Sequence, residues 1–413
     1  MKSAGTMPKE SLSLVLLLGA LTAFGSLSTD MYLPAFPVIG RELHASAEAV
    51  QQTLALFFLG MAGGQLFYGP LSDRFGRRKP LLVGLALYIA ASLGCACARS
   101  VQALIVWRLL QGLGGCAGIV IARAVVRDRF DPVHAARIFS ELMMVMGVAP
   151  ILAPFIGGQI LLISTWRAVF WLLALFGAAC FAATLLMLRE SWSPDPAANA
   201  FSPRTVARNF TLVLEDPTFR YPALTNAFTA AAMFTYIIGS PGVFIGHFGV
   251  PPNHYGFFFG ANALGLISAS QLNRKLLTRF TPQGILRFAV PAATVAGITV
   301  AAVGWSGLGG LWGLAIALFL FLSCIGFMGA NLAACALANQ GRHAGSASAL
   351  MGTLQFAAAS LSGAASSHAL AFAAIGTPLH GMCLFIALCI ALAAAIHFAG
   401  RRIAATTAPK VTA

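Results

Sequence analysis

Acidic side chains are scarce in this chain of 413 residues, twelve in all, and Asp30 is the one that stands clearly inside an apolar stretch. A carboxylate in hydrocarbon is costly unless it faces a cavity, meets a positive partner or is protonated. Desolvation moves carboxyl titration towards neutral pH, which makes Asp30 a candidate proton carrier. The competing reading is a permanent salt bridge that only holds helices together. The natural partner is Arg108, which lies within the fourth apolar span, well away from the basic end. Helical rise puts Asp30 ~15 Å and Arg108 ~11 Å below the same end of their spans, so direct contact or a one-water bridge is expected. Gln111, a turn from Arg108, can bond either group or a ligand, or serve as ordinary glue between helices. This chemistry is proton binding and release, with no covalent step.

A second group of charges lies where spans meet water. Asp73 and Arg77 sit in one loop, Arg127 and Asp128 end the fourth span, and Glu141 begins the fifth. A structural cluster of Glu141 with Arg137, Arg127 and Asp128 is expected, with a second proton site at Glu141 as the alternative. Asp73 and Arg77 would join it in one conformational state and leave it in another. Pro150, Pro154, Gly157 and Gly158 in the fifth span mark a place where helices approach and pivot. For a ligand in a midplane cavity, Tyr32, Phe57, Phe58, Phe234, Tyr236 and Phe244 are candidate contacts, with Asn262, Gln271 and Asn331 as polar ones. Core packing or lipid contact is the plainer reading of each.

Other chemistry is poorly represented. Residues 112–117, GLGGCA, imitate part of a dinucleotide loop, but no strand precedes them. No Gly-Lys dipeptide occurs, so a nucleotide-cradling phosphate loop is excluded. His247 and His254 lack a supporting set of metal ligands. No catalytic cluster, cofactor or metal is expected, and the chain reads as a non-enzyme.

The elements that must position these residues are membrane helices. Hydrophobic residues make up 58% of the chain, charged residues 9%, and mean hydropathy is +0.82. A soluble domain carries roughly 25% charged residues. About twenty apolar residues span a bilayer, and by that ruler twelve spans fall near 12–38, 48–70, 80–99, 102–126, 138–162, 168–188, 222–246, 255–273, 285–305, 309–337, 346–370 and 378–399. The net charge of +14 collects on one side, which points to the cytoplasmic face and to anionic lipid and argues against nucleic acid. Both termini are expected in the cytoplasm. The first apolar run, 12–27, lacks a convincing cleavage site and reads as a retained helix. The eight cysteines are scattered without a CxxC pair and read as packing residues.

A polar stretch at 191–220 divides the chain into six-span halves, 1–190 and 221–413. The loop after the second span is DRFGRRK at 73–79, and that after the eighth is NRKLLTR at 273–279. The basic character repeats while the acid does not, a weak echo of duplication. The expected fold class is an all-α membrane protein of twelve helices in two pseudo-symmetric six-helix bundles.

Residues 69–80, GPLSDRFGRRKP, resemble the signature loop of the major facilitator superfamily. Arg108-Leu-Leu-Gln111-Gly112 resembles its fourth-helix motif, and 150–158 resembles the fifth-helix motif of its drug:proton antiporters. STDMYLPAFP at 28–37 is similar to the first helix of the bicyclomycin- and chloramphenicol-resistance (Bcr/CflA-type) subgroup, and 262–273 to its eighth helix. The resemblance implies that Asp30 couples protons to drug movement and that Arg108 is functional. Some relatives carry a further acid two turns earlier, where this chain has Thr22. The expectation is a multi-pass protein of the bacterial inner membrane, a monomer, with protons, membrane lipid and a small molecule as partners. It would export small, largely apolar compounds by alternating access. A sugar or metabolite exporter of the same fold is the alternative.

Overall fold

In hydrocarbon a backbone must satisfy its own hydrogen bonds, which leaves helices or a closed barrel. The computed structural model describes residues 9–192, 203–369 and 377–407, and among them there are helices and no strand. The helices are α1 (Lys9–Asp30), α2 (Phe36–Glu42), α3 (Ala47–Phe75), α4 (Arg78–Ala96), α5 (Val101–Arg129), α6 (Pro132–Ile163), α7 (Arg167–Met187), α8 (Pro203–Glu215), α9 (Pro217–Pro241), α10 (Pro252–Leu276), α11 (Pro282–Ser306), α12 (Gly310–Gly326), α13 (Gly329–Leu337), α14 (Ala344–Ala369) and α15 (Pro378–Thr407). Their starts follow local chemistry. Ser46, Ser100 and Thr281 each accept a hydrogen bond from the backbone N–H three residues on, and Asp216 from that of Thr218, offsetting donors that a helix start leaves open.

Among the described residues, 10 helical segments are long and apolar enough to cross a membrane. The spans expected at 255–273 and 346–370 correspond to α10 and α14, with residue 370 outside the described part. These two helices are diluted by Asn, His and Gln in α10 and by Gly and Ser in α14. Large apolar side chains such as Leu16, Phe67, Val83 and Leu186 are exposed along the others, as a lipid-facing surface requires.

The packing is duplicated. In the first half α1 packs on α5, α6 and α7, α3 on α5, and α4 on α5 and α7. In the second half α9 packs on α13, α14 and α15, α10 on α12, and α11 on α12 and α15. Each pair has its counterpart six spans later. The two halves meet where α3 lies on α14 and α6 on α10, again equivalent pairs. A Cβ at Gly60 would come within 2.1 Å of the Leu109 carbonyl oxygen, so this glycine seats α3 directly on the backbone of α5.

Two elements differ from the sequence reading. The first span is not one continuous helix. It stops at Asp30, makes a 3-10 turn over Leu33–Ala35 and resumes as α2, because Pro34 and Pro37 cannot donate the backbone bonds that would carry α1 onward. The polar stretch 191–220 is also not wholly irregular. Residues 193–202 lie outside the described part, but α8 follows, and its Val213 is buried with Phe219, Leu350 and Met351 on the second half. All eight cysteines are free, with Cys97 exposed and Cys324 half-buried.

Candidate functional site

Asp30 occupies the last position of α1, at the break, and only 4% of it is exposed. The turn that follows packs against α6, α9 and α10, so the carboxyl lies where the two halves meet. Thr29 Oγ1 donates a hydrogen bond to it at 2.9 Å. Tyr236 on α9 and Tyr255 on α10 stand within electrostatic reach. Tyr236 accepts a bond from Asn262 at 2.8 Å, and Tyr255 shares one with Ser240 at 2.6 Å. Among the described residues no base forms an ion pair with Asp30.

The expected Asp30–Arg108 pair is therefore corrected. Arg108 is fully buried, and its Nη1 donates to the Ser28 carbonyl (3.0 Å) and to Gln111 Oε1 (2.5 Å). Its guanidinium lies over the rings of Phe57 (4.3 Å), Tyr32 (4.6 Å) and Phe170 (5.8 Å). Nε and Nη2 have no hydrogen-bond partner, so ring faces take the place of a counter-ion. The depth estimate treated both spans as straight helices. The break after Asp30 removes that premise and leaves the Ser28 carbonyl, not the carboxylate, beside Arg108. Gln111 extends the network by donating to Ser92 (2.8 Å), and Tyr88 joins Ser28 (2.7 Å). Sequence reading missed Tyr88, Ser92 and Phe170, since small hydroxyls and single aromatics within apolar spans look like packing.

The aromatic candidates divide. Tyr32 and Phe57 form the Arg108 cage, and Tyr32 also bonds Thr53 at 2.9 Å. Phe58 meets Phe234 across the halves, ring centroids 4.4 Å apart, with Phe356 of α14 completing the cluster. Tyr236 stacks on Phe259 beside Asn262. Phe244 is buried against Tyr255 and Phe258, and Gln271 is exposed. Asn331 does not belong with them. It is buried and donates to Asn273 at 2.8 Å. Asn273 lies eleven residues from Asn262 along α10, or ~16 Å at the helical rise. Asn331 ties α13 to α10 near the basic end.

At that end Arg77, 2% exposed, is clamped. It donates to Asp73 (2.5 Å), Asp128 (2.7 Å) and Ser72 (2.8 Å), and the ring of Trp192 covers it at 4.9 Å. Glu190, just past α7, accepts from the backbone N–H of Arg77 (2.7 Å), Arg78 (3.1 Å), Ser191 (3.0 Å) and Trp192 (3.2 Å). Burial works against this carboxylate, but the four N–H groups outweigh it and hold its pKa below the usual range. Arg127 is exposed, and Glu141 is half-buried on α6. The clamp is thus built from Asp73, Arg77 and Asp128 with Glu190 and Trp192, two residues the sequence reading passed over. The signal available was an acid two residues after Leu188, the last apolar residue of a span.

The fifth-span motif lies in α6, which runs unbroken through Pro150 and Pro154. A Cβ at Gly157 would fall 2.1 Å from the Met31 carbonyl oxygen, and one at Gly158 2.8 Å from that of Pro252. These adjacent glycines therefore touch the break after Asp30 on one side and the opposite half on the other.

A duplicated six-helix packing around a buried acid defines a multi-pass membrane transport fold. The Major Facilitator Superfamily profile matches residues 18–363, and the chain belongs to that family. It is 37% identical to the uncharacterized MFS-type transporter YdgK of Bacillus subtilis, over 84% of this chain and 86% of that protein. It is 31% identical to a bicyclomycin resistance protein homolog of Haemophilus influenzae (86% and 89% covered), and 30% identical to the multidrug resistance protein MdtL of Escherichia coli (66% and 68%). Among solved structures, a D-xylose-proton symporter superposes with a TM-score of 0.73 at 11% identity, covering 93% of this chain and 97% of that one, which bears on fold alone.

Proposed function

We propose that this chain exports small, largely apolar compounds, of the chloramphenicol or bicyclomycin kind, across the bacterial inner membrane in exchange for protons. The observation that carries the reading is the buried Asp30 carboxyl, with no ion-paired base among the described residues, at a helix break between the two halves. A carboxyl so placed favours protonation unless water or a cation reaches it. Access from one face loads a proton, and access from the other releases it when substrate or water enters. The resistance proteins named above, similar over most of their length, support drugs as the cargo.

In this scheme residues 1–190 and 221–413 rock about the Asp30–Tyr236–Asn262 region, with 191–220 as the connection and both termini cytoplasmic. Arg108 and Gln111 act on Asp30 through Ser28 and the α1 backbone. Phe58, Phe234 and Tyr236 supply the apolar wall of the substrate site, and the Arg77 clamp, closed in this state, opens in the other state of the cycle. The chain works as a monomer, moves its cargo without chemical change and needs no cofactor.

The test is growth protection in a bacterial host stripped of its own drug pumps. The expected result is tolerance to chloramphenicol or bicyclomycin that the Asp30→Asn chain does not confer. No protection against any drug, with protein present in the membrane, would turn the reading to a metabolite exporter.

A further inference from the structure

The basic face of the second half carries a feature that proton-coupled transport does not use. Between α11 and α15, which pack on each other, lies a groove of about 460 Å³ lined by Arg287, Phe398, Arg401 and Arg402. Phe398, Arg401 and Arg402 share one face of α15 by their three- and four-residue spacing. The inner side of α15 is closed, since His397, one turn before Arg401, is buried against Tyr221 and a Cβ at Gly400 would strike that ring. The groove therefore opens away from the transport site, towards the bilayer.

Its charge is unusual for its surroundings. No acidic side chain occurs after Asp216, so no acid of the second half is there to neutralise Arg287 or Arg401. Like charges gathered in one groove repel unless an anion sits among them. The flanks are apolar and exposed, with Phe288 at 75%, Ile403 at 51% and Phe398 at 40%. Planar guanidinium forks match phosphate oxygens, and greasy shoulders beside them suit acyl chains. Basic pockets between membrane helices on the cytoplasmic side bind anionic headgroups.

We infer that this groove holds one anionic diacyl phospholipid, its phosphate between Arg287 and Arg401 and its chains along Phe398 and Phe288. This is a discrete site, distinct from the diffuse attraction of a basic surface to an anionic leaflet. It stands apart from the drug-export reading and survives if that reading fails.

The experiment reconstitutes the full chain in phosphatidylcholine–phosphatidylglycerol vesicles, extracts it into mild detergent and counts retained lipid by native mass spectrometry. One phosphatidylglycerol per protein is expected, lost in Arg287→Gln/Arg401→Gln and kept in Arg274→Gln/Arg279→Gln, which removes equal charge from another loop of the same face. Millimolar inorganic phosphate is expected not to displace it. Retention in the groove variant, equal loss in the loop variant, or displacement by inorganic phosphate would each overturn the inference. If the double groove variant does not fold, Arg401→Gln alone carries the same test.

Discussion

Arg108 is held by a carbonyl, an amide and three ring faces, so its planar shape matters as much as its charge. Arg108→Lys keeps the charge but loses the stacked geometry, and a thermal melt in detergent should show a loss of about 1–3 kcal/mol. Glu190 makes a pH-dependent contribution with a definite sign. Its pKa is depressed when folded, so its stabilisation is present above the unfolded carboxylate pKa and fades as pH falls through the lower folded value. Trp192 reports this directly, since it rests on Arg77 and donates to the Asp73 carbonyl at 2.9 Å. The emission change assigned to Trp192, by difference from Trp192→Phe, should appear on acidification below the ordinary carboxylate range. In Glu190→Gln that acid transition should be absent. An unchanged acid transition in Glu190→Gln would remove Glu190 from the clamp.

At the scale of elements, two glycines fix how helices enter the site. Gly76 has φ +82°, and a Cβ there would meet the Glu190 carboxylate at 2.4 Å. Gly76→Ala is predicted to cost about 1–3 kcal/mol for the backbone conformation alone, read as a lower melting temperature. Gly157→Ala should leave the chain foldable but push α6 off the break after Asp30, lowering turnover more than stability. Equal losses in both would make the contact merely structural. These elements also show what sequence can tell. The charge-dense loop and the apolar lengths were legible because each depends on neighbouring residues. The stop at Asp30 was written in Pro34 and Pro37 but masked by an apolar run that continues past them. The ring cage of Arg108 and the Glu190 cap join residues from separate helices, and no local pattern announces them. Asn331 looked like a site residue for the same reason, since its partner Asn273 is 58 positions away in the chain.

At the scale of the whole molecule, the account requires the halves to separate at the far end during each cycle. Ala55 on α3 faces Gly363 on α14, and a Cβ at Gly363 would lie 3.5 Å from that of Ala55, within disulfide range once the flexible Ile238 side chain shifts. In a cysteine-free background, Ala55→Cys/Gly363→Cys should cross-link, stop transport, and recover on reduction. Full transport by the cross-linked chain would exclude rocking at this seam. The central claim is that Asp30 carries the coupled proton. It is tested most directly in inside-out vesicles given an imposed pH gradient, following chloramphenicol uptake by the native chain and by Asp30→Asn. The account predicts gradient-driven accumulation that disappears in the folded variant. Accumulation that persists in Asp30→Asn with the same dependence on the gradient would contradict it.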